Sequence, residues 1–292
     1  MVTRPTAVTG AAGHVGGAVV GQLVAEGHPD VLALVRDVSR LTGPHRAAEV
    51  RTADYASREQ MASALSGVGT LVFVSSDGEA ALMLVHHTNV VEAAVRAGVE
   101  HVVYLSILDL EPDSPFCFAL VHRETERMLE ESGLPHTVVR ASVYGEFFTR
   151  WIVEAADSGD LALPMGQGRV SLVSRGDVAR CLAACALRRP GGVVGATGGR
   201  GYALAELAAL TTRFGPRPVG ARDLDPAEFG ALLLRQGVSP WWVHAFTGMF
   251  ESVRGNRFEA VTGDVAALTG RAPVDFGATV RLTLQSAGRL ER

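Results

Sequence analysis

The sequence predicts an α/β fold with a doubly wound parallel sheet and a smaller mixed α/β lobe after it. A short apolar run, Thr6–Thr9, is followed by glycines at positions 10, 13 and 16 and then by an amphipathic segment. Strand-like and helix-like runs alternate with short connectors through about residue 140. Such alternation is typical of βαβ units, in which helices cover both faces of a parallel sheet. The expected architecture is therefore of the Rossmann type, with a looser pattern beyond residue 145.

Each predicted strand is a short apolar or β-branched run, and each predicted helix carries apolar residues at helical spacing. The strands are Thr6–Thr9, Val31–Val35, Glu49–Thr52, Thr70–Val74, His101–Leu105 and His136–Arg140. The helices between them are Val15–Glu26, Arg58–Leu65, Leu82–Ala97 and Val121–Glu131. Later we expect helices at Phe147–Asp157, Arg175–Leu187 and Leu204–Phe214, and short strands at Val170–Val173 and Val193–Gly195.

The order strand, glycine-rich turn and helix is the geometry that a dinucleotide pyrophosphate requires. Gly10, Gly13 and Gly16 allow a sharp turn, close approach of backbone N–H groups to the phosphates, and close packing of helix on sheet. The N–H groups and the positive end of the helix dipole then bind the anion. We interpret residues 1–145 as an NAD(P)-binding Rossmann domain and residues 146–292 as a smaller substrate-binding lobe, interwoven with the first.

The residue after the second predicted strand indicates which dinucleotide binds. This residue is Arg36, about 20 positions beyond Gly16. An acidic residue here accepts hydrogen bonds from the ribose of NAD, whereas an arginine pairs with the 2′-phosphate of NADP. Arg40, one helical turn further on, can close the same pocket. The arginines favour NADP(H), while the adjacent Asp37 keeps NAD(H) open.

Ligands of doubly wound sheets bind beyond the carboxyl ends of the strands. This rule makes candidate site residues of the positions that end or follow the predicted strands. They are Thr9-Gly10, Arg36, Ala53-Asp54-Tyr55, Ser75-Ser76, Ser106-Ile107 and Ala141–Tyr144.

A late aromatic cluster comprises Trp241, Trp242, Phe246, Phe250 and Phe258. Such a cluster more often belongs to a core or an interface than to a ligand cage. With two earlier phenylalanines, however, some of these side chains can line an apolar substrate pocket. The pocket residues that we expect are Tyr144, Phe147, Phe148, Trp241 and Trp242.

Composition excludes several classes of function. The chain has 292 residues, a net charge of −4 and 27 basic residues, and it contains no lysine. Schiff-base chemistry, a P-loop lysine and a Tyr-x-x-x-Lys pair are therefore excluded. Without a basic stripe or an apolar run of ~20 residues, we expect neither nucleic acid nor a membrane as partner. Three cysteines predict neither a disulfide framework nor a metal site, and with no recognisable targeting segment we expect a cytoplasmic protein.

Further motifs run through almost the whole chain. They are TGAAGHVG at 9–16, LVRD at 34–37, ADY at 53–55, VSS at 74–76, HxNVVEAA at 87–94, YLS at 104–106, HRETERMLEESGLPHTVVR at 122–140, RGDVA at 175–179 and LTGRAP at 268–273. Together they resemble the NmrA-like family of atypical short-chain dehydrogenase/reductases. The resemblance is greatest to the branch of NADPH-dependent quinone oxidoreductase type 2 and triphenylmethane reductase.

The resemblance implies a set of cofactor-binding residues. The pyrophosphate would be held by Gly10, Ala12, Gly13, His14, Val15 and Gly16, next to Thr9 at the strand end. Arg36 would bind the 2′-phosphate, Asp54 and Tyr55 would flank adenine, and Ser75 and Ser76 would line the path to the nicotinamide ribose. We also expect His87 to touch the cofactor pocket.

The chain departs from typical short-chain dehydrogenases at the catalytic pair. Alignment of HRETERMLEESG places His122 at the usual lysine position and Phe118 at the usual tyrosine position, whereas Ser106 keeps the position of the catalytic serine. The resemblance therefore implies hydride transfer to an acceptor that needs no buried acid, such as a quinone or a cationic dye. The proton can then come from solvent.

Three residues remain as catalytic candidates. His122 titrates near neutral pH in its unperturbed form, so it could donate a proton, or it could position the cofactor and bind a ribose hydroxyl. Tyr144 should overhang the nicotinamide, where it either orients a carbonyl through its hydroxyl or stacks. Ser106 is the third candidate. By contrast, we interpret Glu126 and its charged neighbours on the same helix as a solvated, ion-paired face.

These observations predict an NADPH-dependent reductase of an apolar carbonyl, quinone or enone, with aromatic natural products among the candidates. Two alternatives stay open: a dinucleotide-binding redox sensor that acts through a partner without turnover, and a redox-neutral cyclase or epimerase. A homodimer is kept as one option for the assembly.

Overall fold

The computed structural model describes residues 4–41 and 48–290. Its strands are β1 (Thr6–Val8), β2 (Val31–Val35), β3 (Glu49–Thr52), β4 (Thr70–Phe73), β5 (His101–Ile107), β6 (His136–Ala141), β7 (Asp160–Leu163), β8 (Arg169–Val170), β9 (Gly192–Ala196), β10 (Tyr202–Ala203) and β11 (Gly220–Asp223). Its α-helices are α1 (His14–Ala25), α2 (Arg58–Ala64), α3 (Ala80–Ala97), α4 (Cys117–Glu131), α5 (Gly145–Ser158), α6 (Arg175–Arg188), α7 (Leu204–Phe214), α8 (Pro226–Arg235), α9 (Pro240–Arg254), α10 (Asp264–Thr269) and α11 (Phe276–Ser286). A short 3₁₀ helix spans Val38–Arg40.

Seven strands form one parallel sheet in the order β3-β2-β1-β4-β5-β6-β9, which confirms the predicted fold class. The central strands are buried on both faces, as their runs of valine and leucine predict. The edge strand β3 has the sequence Glu-Val-Arg-Thr and remains partly exposed, because no further strand covers it among the described residues. The chain order reverses between β1 and β4, and this point is where such sheets bind ligands.

The helices form two layers around the sheet. One face packs against α1 and α6 through a core that includes Val19, Val72 and Leu182. The other face packs against α2, α3 and α4 through Met61, Val90 and Leu129. Since α6 and β9 lie beyond residue 145, part of the second half of the chain belongs to this sheet layer.

A separate aromatic core holds the rest of the second half together. It joins α5, α7, α8, α9 and α11 through side chains such as Trp151, Phe229 and Phe250. Two short pairs of strands, β7 with β11 and β8 with β10, flank it. The predicted domain ranges also include residues 1–3, 42–47, 291 and 292, which lie outside the described residues.

Most predicted elements differ from the structure only at their ends. β2, β3 and α7 have the predicted bounds, and β5 extends two residues further, to Ile107. The predicted strand Val170–Val173 is wrong in extent, since β8 ends at Val170 and Val173 forms only an isolated bridge with Tyr144. The short elements β7, β10, β11 and α10, and the helices α8 and α11, were not predicted from the sequence. No helix in the described ranges has the length and apolar character needed to cross a membrane.

Candidate active site

A single elongated cavity of about 920 Å³ runs along the carboxyl ends of β1, β2, β4, β5 and β6. Its wall includes Gly10 after β1, Arg36 after β2 and Ser75 after β4. Further along, Ser106 lines it near the end of β5, and Tyr144 lines it after β6. The cavity therefore crosses the point at which the strand order reverses, as the topology rule predicts.

The glycine loop forms the floor of this cavity. Gly10 adopts a left-handed conformation with a φ of +62°, which residues other than glycine rarely adopt. A Cβ atom on Gly16 would collide with the backbone of Thr9 and Gly10, so only glycine lets helix α1 start this close to β1. Gly13 caps α1 without a side-chain hydrogen bond, and no acidic residue occupies the first turn among the described residues. The helix N-terminus is thus built to receive an anion.

All seven residues predicted for this loop line the cavity. They are Thr9, Gly10, Ala12, Gly13, His14, Val15 and Gly16. Thr9 also fixes the neighbouring strand, because its hydroxyl oxygen accepts a hydrogen bond from the Val74 N–H at 3.0 Å.

At the β2 end, Arg36 and Arg40 line the cavity and are exposed. Asp37 points its carboxylate into its own loop, where Oδ1 accepts hydrogen bonds from the Ser39 hydroxyl at 2.7 Å and the Ser39 N–H at 2.9 Å. These hydrogen bonds lower the pKa of Asp37. One carboxylate oxygen of Asp37 is therefore engaged within the loop, and although Asp37 also lines the cavity, the two arginines give this end a net positive charge.

The next group of predicted residues lies after β3 and β4. Asp54, Tyr55, Ser75 and Ser76 all line the cavity. The Tyr55 hydroxyl donates to the Val74 carbonyl at 2.7 Å, and this bond ties the loop after β3 to the end of β4.

His87 does not line the cavity, which corrects its predicted contact with the cofactor pocket. The ring is fully buried on the sheet side of α3. Its Nε2 accepts the Ser76 N–H at 3.2 Å, so Nδ1 carries the proton and donates to the Thr125 hydroxyl oxygen at 2.7 Å. Burial lowers the pKa of His87 to about 2, and the ring is therefore neutral. His87 supports the loop that carries Ser76 from behind.

Strand β5 and helix α4 are joined by two polar pairs. The Tyr104 hydroxyl lies 2.7 Å from Nδ1 of His122. Two residues further along the strand, the Ser106 hydroxyl donates to Oε1 of Glu126 at 2.6 Å. The pairs match because residues two apart share one face of a strand, and residues four apart share one face of a helix.

Burial lowers the pKa of His122 to about 3. The imidazole therefore stays neutral at ordinary pH, contrary to the expectation that it titrates near neutral pH. Its ring lines the cavity, and Nδ1 is occupied by Tyr104, so Nε2 is the nitrogen that remains for a ligand.

Glu126 is held in place by Arg140 through two hydrogen bonds, of 3.1 Å from Nε and 2.6 Å from Nη2. Its side chain is only 14% exposed, so the interpretation of Glu126 as part of a solvated face is wrong. Arg140 lies directly across from Ser106 in the pairing of β5 with β6, which places Glu126 between the two. The single proton of the Ser106 hydroxyl points to this carboxylate, and the lone pairs of Oγ remain for the cavity.

Beyond β5 the cavity becomes an aromatic chamber. Phe116, Phe118, Phe147, Trp242, Phe246, Met249 and Phe258 line it, together with Tyr144 and Arg175. Loop and helix meet closely here because Gly248 of α9 lies against the backbone of Pro115, where a Cβ atom would collide. Phe118 belongs to this wall, so the position of the usual catalytic tyrosine carries an apolar surface.

Two of the predicted pocket residues do not line this cavity. Phe148 is fully buried in the aromatic core, between Trp151 and Phe250. Trp241 packs its ring against Phe118, with centroids 6.3 Å apart, outside the chamber wall. The reason is helical geometry, since consecutive residues point about 100° apart, and here one member of each adjacent aromatic pair faces the cavity while the other is turned away from it.

The sequence missed several residues of the site. Glu126 and Arg175 were not assigned to it, although Glu126 follows His122 at the spacing of one helix face. Phe116 and Met249 were not singled out at all, because the long-range packing of α9 on the loop before α4 has no local signal.

Comparison with known proteins identifies the family. A model described as NAD(P)H-binding matches residues 10–189 of this chain. The chain belongs to this NAD(P)H-binding family. Within the family, it is 31% identical over 236 residues to quinone oxidoreductase 2 of Escherichia coli, covering 80% of this chain and 82% of that protein. It is also 30% identical over 291 residues to an NmrA-like family domain-containing oxidoreductase of Aspergillus flavus, covering 95% of this chain and 94% of the relative.

The fold of this chain is similar to that of solved structures of related reductases. Triphenylmethane reductase of Citrobacter sp., crystallised with NADP(H), superposes with a TM-score of 0.89 at 27% identity, covering 96% of this chain and 100% of that one. The predicted resemblance to the NmrA-like group and its quinone oxidoreductase branch is thus confirmed, as is the coarser prediction of an NAD(P)H-binding oxidoreductase.

Proposed function

We propose that this protein is an NADPH-dependent reductase that transfers hydride to an apolar carbonyl, quinone or enone, with aromatic natural products among the candidate substrates. The continuity of the cavity carries this proposal. One end holds the glycine loop and Arg36, and the other end is an aromatic chamber, with Ser106 and His122 between them. A dinucleotide bound along the strand ends would thus present its nicotinamide to a pocket that suits a flat apolar molecule.

The preference for NADPH rests on charge at the β2 end. Arg36 and Arg40 supply two guanidinium groups to the cavity wall, and Asp37 is engaged by Ser39. Guanidinium groups bind phosphate oxygens in a bidentate manner, so this end suits the 2′-phosphate better than a bare ribose.

When bound, NADPH supplies the hydride, and the protein positions the acceptor and excludes water. In this proposal the Tyr104 hydroxyl donates a hydrogen bond to Nδ1 of His122, because the buried phenol then has an acceptor. Nε2–H of His122 consequently faces the cavity as a neutral hydrogen-bond donor for a ribose hydroxyl or an acceptor oxygen. Ser106 Oγ can accept a hydrogen bond from a ligand in the cavity, since its own O–H donates to Glu126.

These roles define how protons move. Neither Phe118 nor neutral His122 is a strong acid at neutral pH, so the acceptor takes its proton from solvent after hydride transfer. Tyr144 is half-buried, and loss of contact with water raises its pKa to about 12, which leaves its hydroxyl as a donor that can orient an acceptor oxygen. Quinones suit this arrangement because the reduced product is stabilised as a phenolate before protonation.

The test is NADPH oxidation, followed by absorbance, with purified protein and a panel of quinones, enones and aromatic ketones. NADH is run in parallel, and NADPH binding is measured by calorimetry. We expect turnover with at least one quinone and a lower KM for NADPH than for NADH. Tight NADPH binding without turnover of any acceptor would contradict the proposal and favour a redox sensor or a redox-neutral enzyme.

The homodimer and the cytoplasmic location stay predictions. Size-exclusion chromatography with light scattering tests the first, and fractionation of source cells tests the second.

A further inference from the structure

Arg175 places a positive charge in the aromatic chamber. It is the first residue of α6, half-buried, and its side chain lines the cavity. The guanidinium carbon lies 5.4 Å from the centroid of the Tyr144 ring, so the two side chains stack. The remaining chamber wall is formed mostly by phenylalanine, tryptophan and methionine side chains. A guanidinium in such an apolar wall would bind a ligand group of opposite charge favourably.

No carboxylate of the described residues neutralises this guanidinium through a salt bridge. The carboxylate of Glu146 accepts the backbone N–H of Arg175 at 2.9 and 3.2 Å and thereby caps the helix, but it is not bonded to the guanidinium. Within residues 4–41 and 48–290, the cavity-lining arginines Arg36, Arg40 and Arg175 all lack a salt-bridge partner. Arg36 and Arg40 lie where the 2′-phosphate is expected, which leaves Arg175 without an expected ligand.

The position of Arg175 separates it from the expected cofactor phosphates. Val173 pairs with Tyr144 just beyond β6, and Arg175 follows two residues later. The glycine loop follows β1, and strands β4 and β5 lie between β1 and β6. Three strand spacings of ~4.8 Å each separate the two strand ends by roughly 14 Å. This distance places Arg175 at the acceptor end of the cavity rather than at the pyrophosphate or the 2′-phosphate.

We propose that Arg175 forms an anion subsite for the second substrate, which is a flat aromatic or enone compound carrying a carboxylate, phosphate or similar oxyanion group. This inference rests on the proposed function for its account of where the cofactor binds. The guanidinium offers two parallel N–H donors to an oxyanion, and the stacked Tyr144 ring fixes its plane. The apolar wall strengthens the charged contact, because little water competes for it.

The test uses a matched pair of probes that are not reduced. Naphthalenesulfonate and naphthalenesulfonamide have the same ring system and differ in charge. Calorimetric titration of each into NADP⁺-saturated protein compares the wild type with Arg175→Gln. We expect Arg175→Gln to weaken the sulfonate by about tenfold, the range of one charged hydrogen bond, and to leave the sulfonamide within about twofold.

A control variant is Arg213→Gln, since Arg213 also stacks on an aromatic ring, Phe214, but lies outside the cavity lining. It should bind both probes like the wild type. Thermal melting of both variants checks that each is folded.

Three results would overturn the subsite. The wild type could bind the two probes equally, Arg175→Gln could weaken both probes alike, or it could weaken NADPH itself, which would assign Arg175 to the cofactor. Turnover of the panel of quinones, enones and aromatic ketones by the wild type is measured separately. Absence of turnover with every acceptor would contradict the proposed reductase, whereas the probe titrations decide the anion subsite without any turnover.

Discussion

The two ends of the cavity are constructed differently. The glycine loop comes from residues 9–16, one continuous strand–helix junction, and it presents backbone atoms to the ligand. The aromatic chamber comes from segments near residues 116, 147, 242 and 258, and it presents side chains. Each end depends on a glycine for close approach: Gly16 lets α1 approach β1, and Gly248 lets α9 approach Pro115.

This difference separates what is general from what is specific. A backbone cradle at a helix N-terminus recognises phosphate, which is common to all dinucleotides. Side chains brought together from distant segments can be exchanged without altering the sheet, so acceptor specificity can vary on a constant cofactor site. Ser106 and His122 lie between the two ends, and their polar partners on β5 and α4 fix the directions of their hydrogen bonds.

The largest effect should distinguish chamber from core at two adjacent residues. Phe148→Ala removes a fully buried ring from the aromatic core and should lower the free energy of unfolding by about 3–5 kcal/mol. Phe147→Ala, its matched control, removes a half-buried chamber residue and should cost less than half as much. It should instead raise the KM for menadione by about tenfold, because ~1.5 kcal/mol of apolar contact is lost. Urea unfolding and steady-state kinetics measure both; equal stability losses would contradict the assignment.

Arg36→Ala should separate the two nicotinamide cofactors. Loss of a charged hydrogen bond to the 2′-phosphate costs about 1.5–3 kcal/mol, so the Kd for NADPH should rise about 10- to 100-fold. The Kd for NADH should change by less than about threefold. Arg235→Ala, at an exposed site outside the cavity lining, serves as control in the same calorimetric titrations. An equal rise in the Kd values of NADPH and NADH would contradict the assignment of Arg36 to the 2′-phosphate.

Stability should fall as the solution becomes more acidic. Burial keeps His87 and His122 neutral in the folded protein, with pKa values of about 2 and about 3, whereas the unfolded value is about 6.5. Between the folded and the unfolded pKa values, only the unfolded chain binds the extra proton. The contribution of each neutral ring to the free energy of unfolding is therefore fully present above about pH 6.5 and is lost as pH falls below it. Each histidine should contribute a loss of ~2 kcal/mol between pH 7 and about pH 5. In His122→Gln, urea unfolding should show that loss reduced by ~2 kcal/mol; an unchanged pH dependence would refute the buried neutral ring.

The smallest effect concerns activity against pH. Because the pKa of His122 is about 3, kcat/KM for menadione should show no ionisation of this residue between about pH 5.5 and 8. An inflection near pH 6.5 that disappears in His122→Gln would assign His122 as a general acid, contrary to the proposed solvent proton.

The sequence predicts the cofactor end well because its signals are local. The glycine spacing and the arginine after β2 lie within one βαβ unit, and every predicted loop residue lines the cavity. The chamber was predicted less well, since Phe147 and Phe148 cannot be told apart without the phase of α5. Glu126 was misinterpreted because its partners, Ser106 and Arg140, lie on two strands that only the sheet brings together.

In the proposed reaction, a hydride passes directly from NADPH to an acceptor within this cavity. The most direct measurement is single-turnover oxidation of NADPH deuterated at the transferable position of the nicotinamide ring, with menadione as acceptor. Direct hydride transfer should give slower oxidation when deuterium occupies one face of the ring, and an unchanged rate when deuterium occupies the other face. Oxidation that is insensitive to deuterium on both faces, or no oxidation at all, would contradict it.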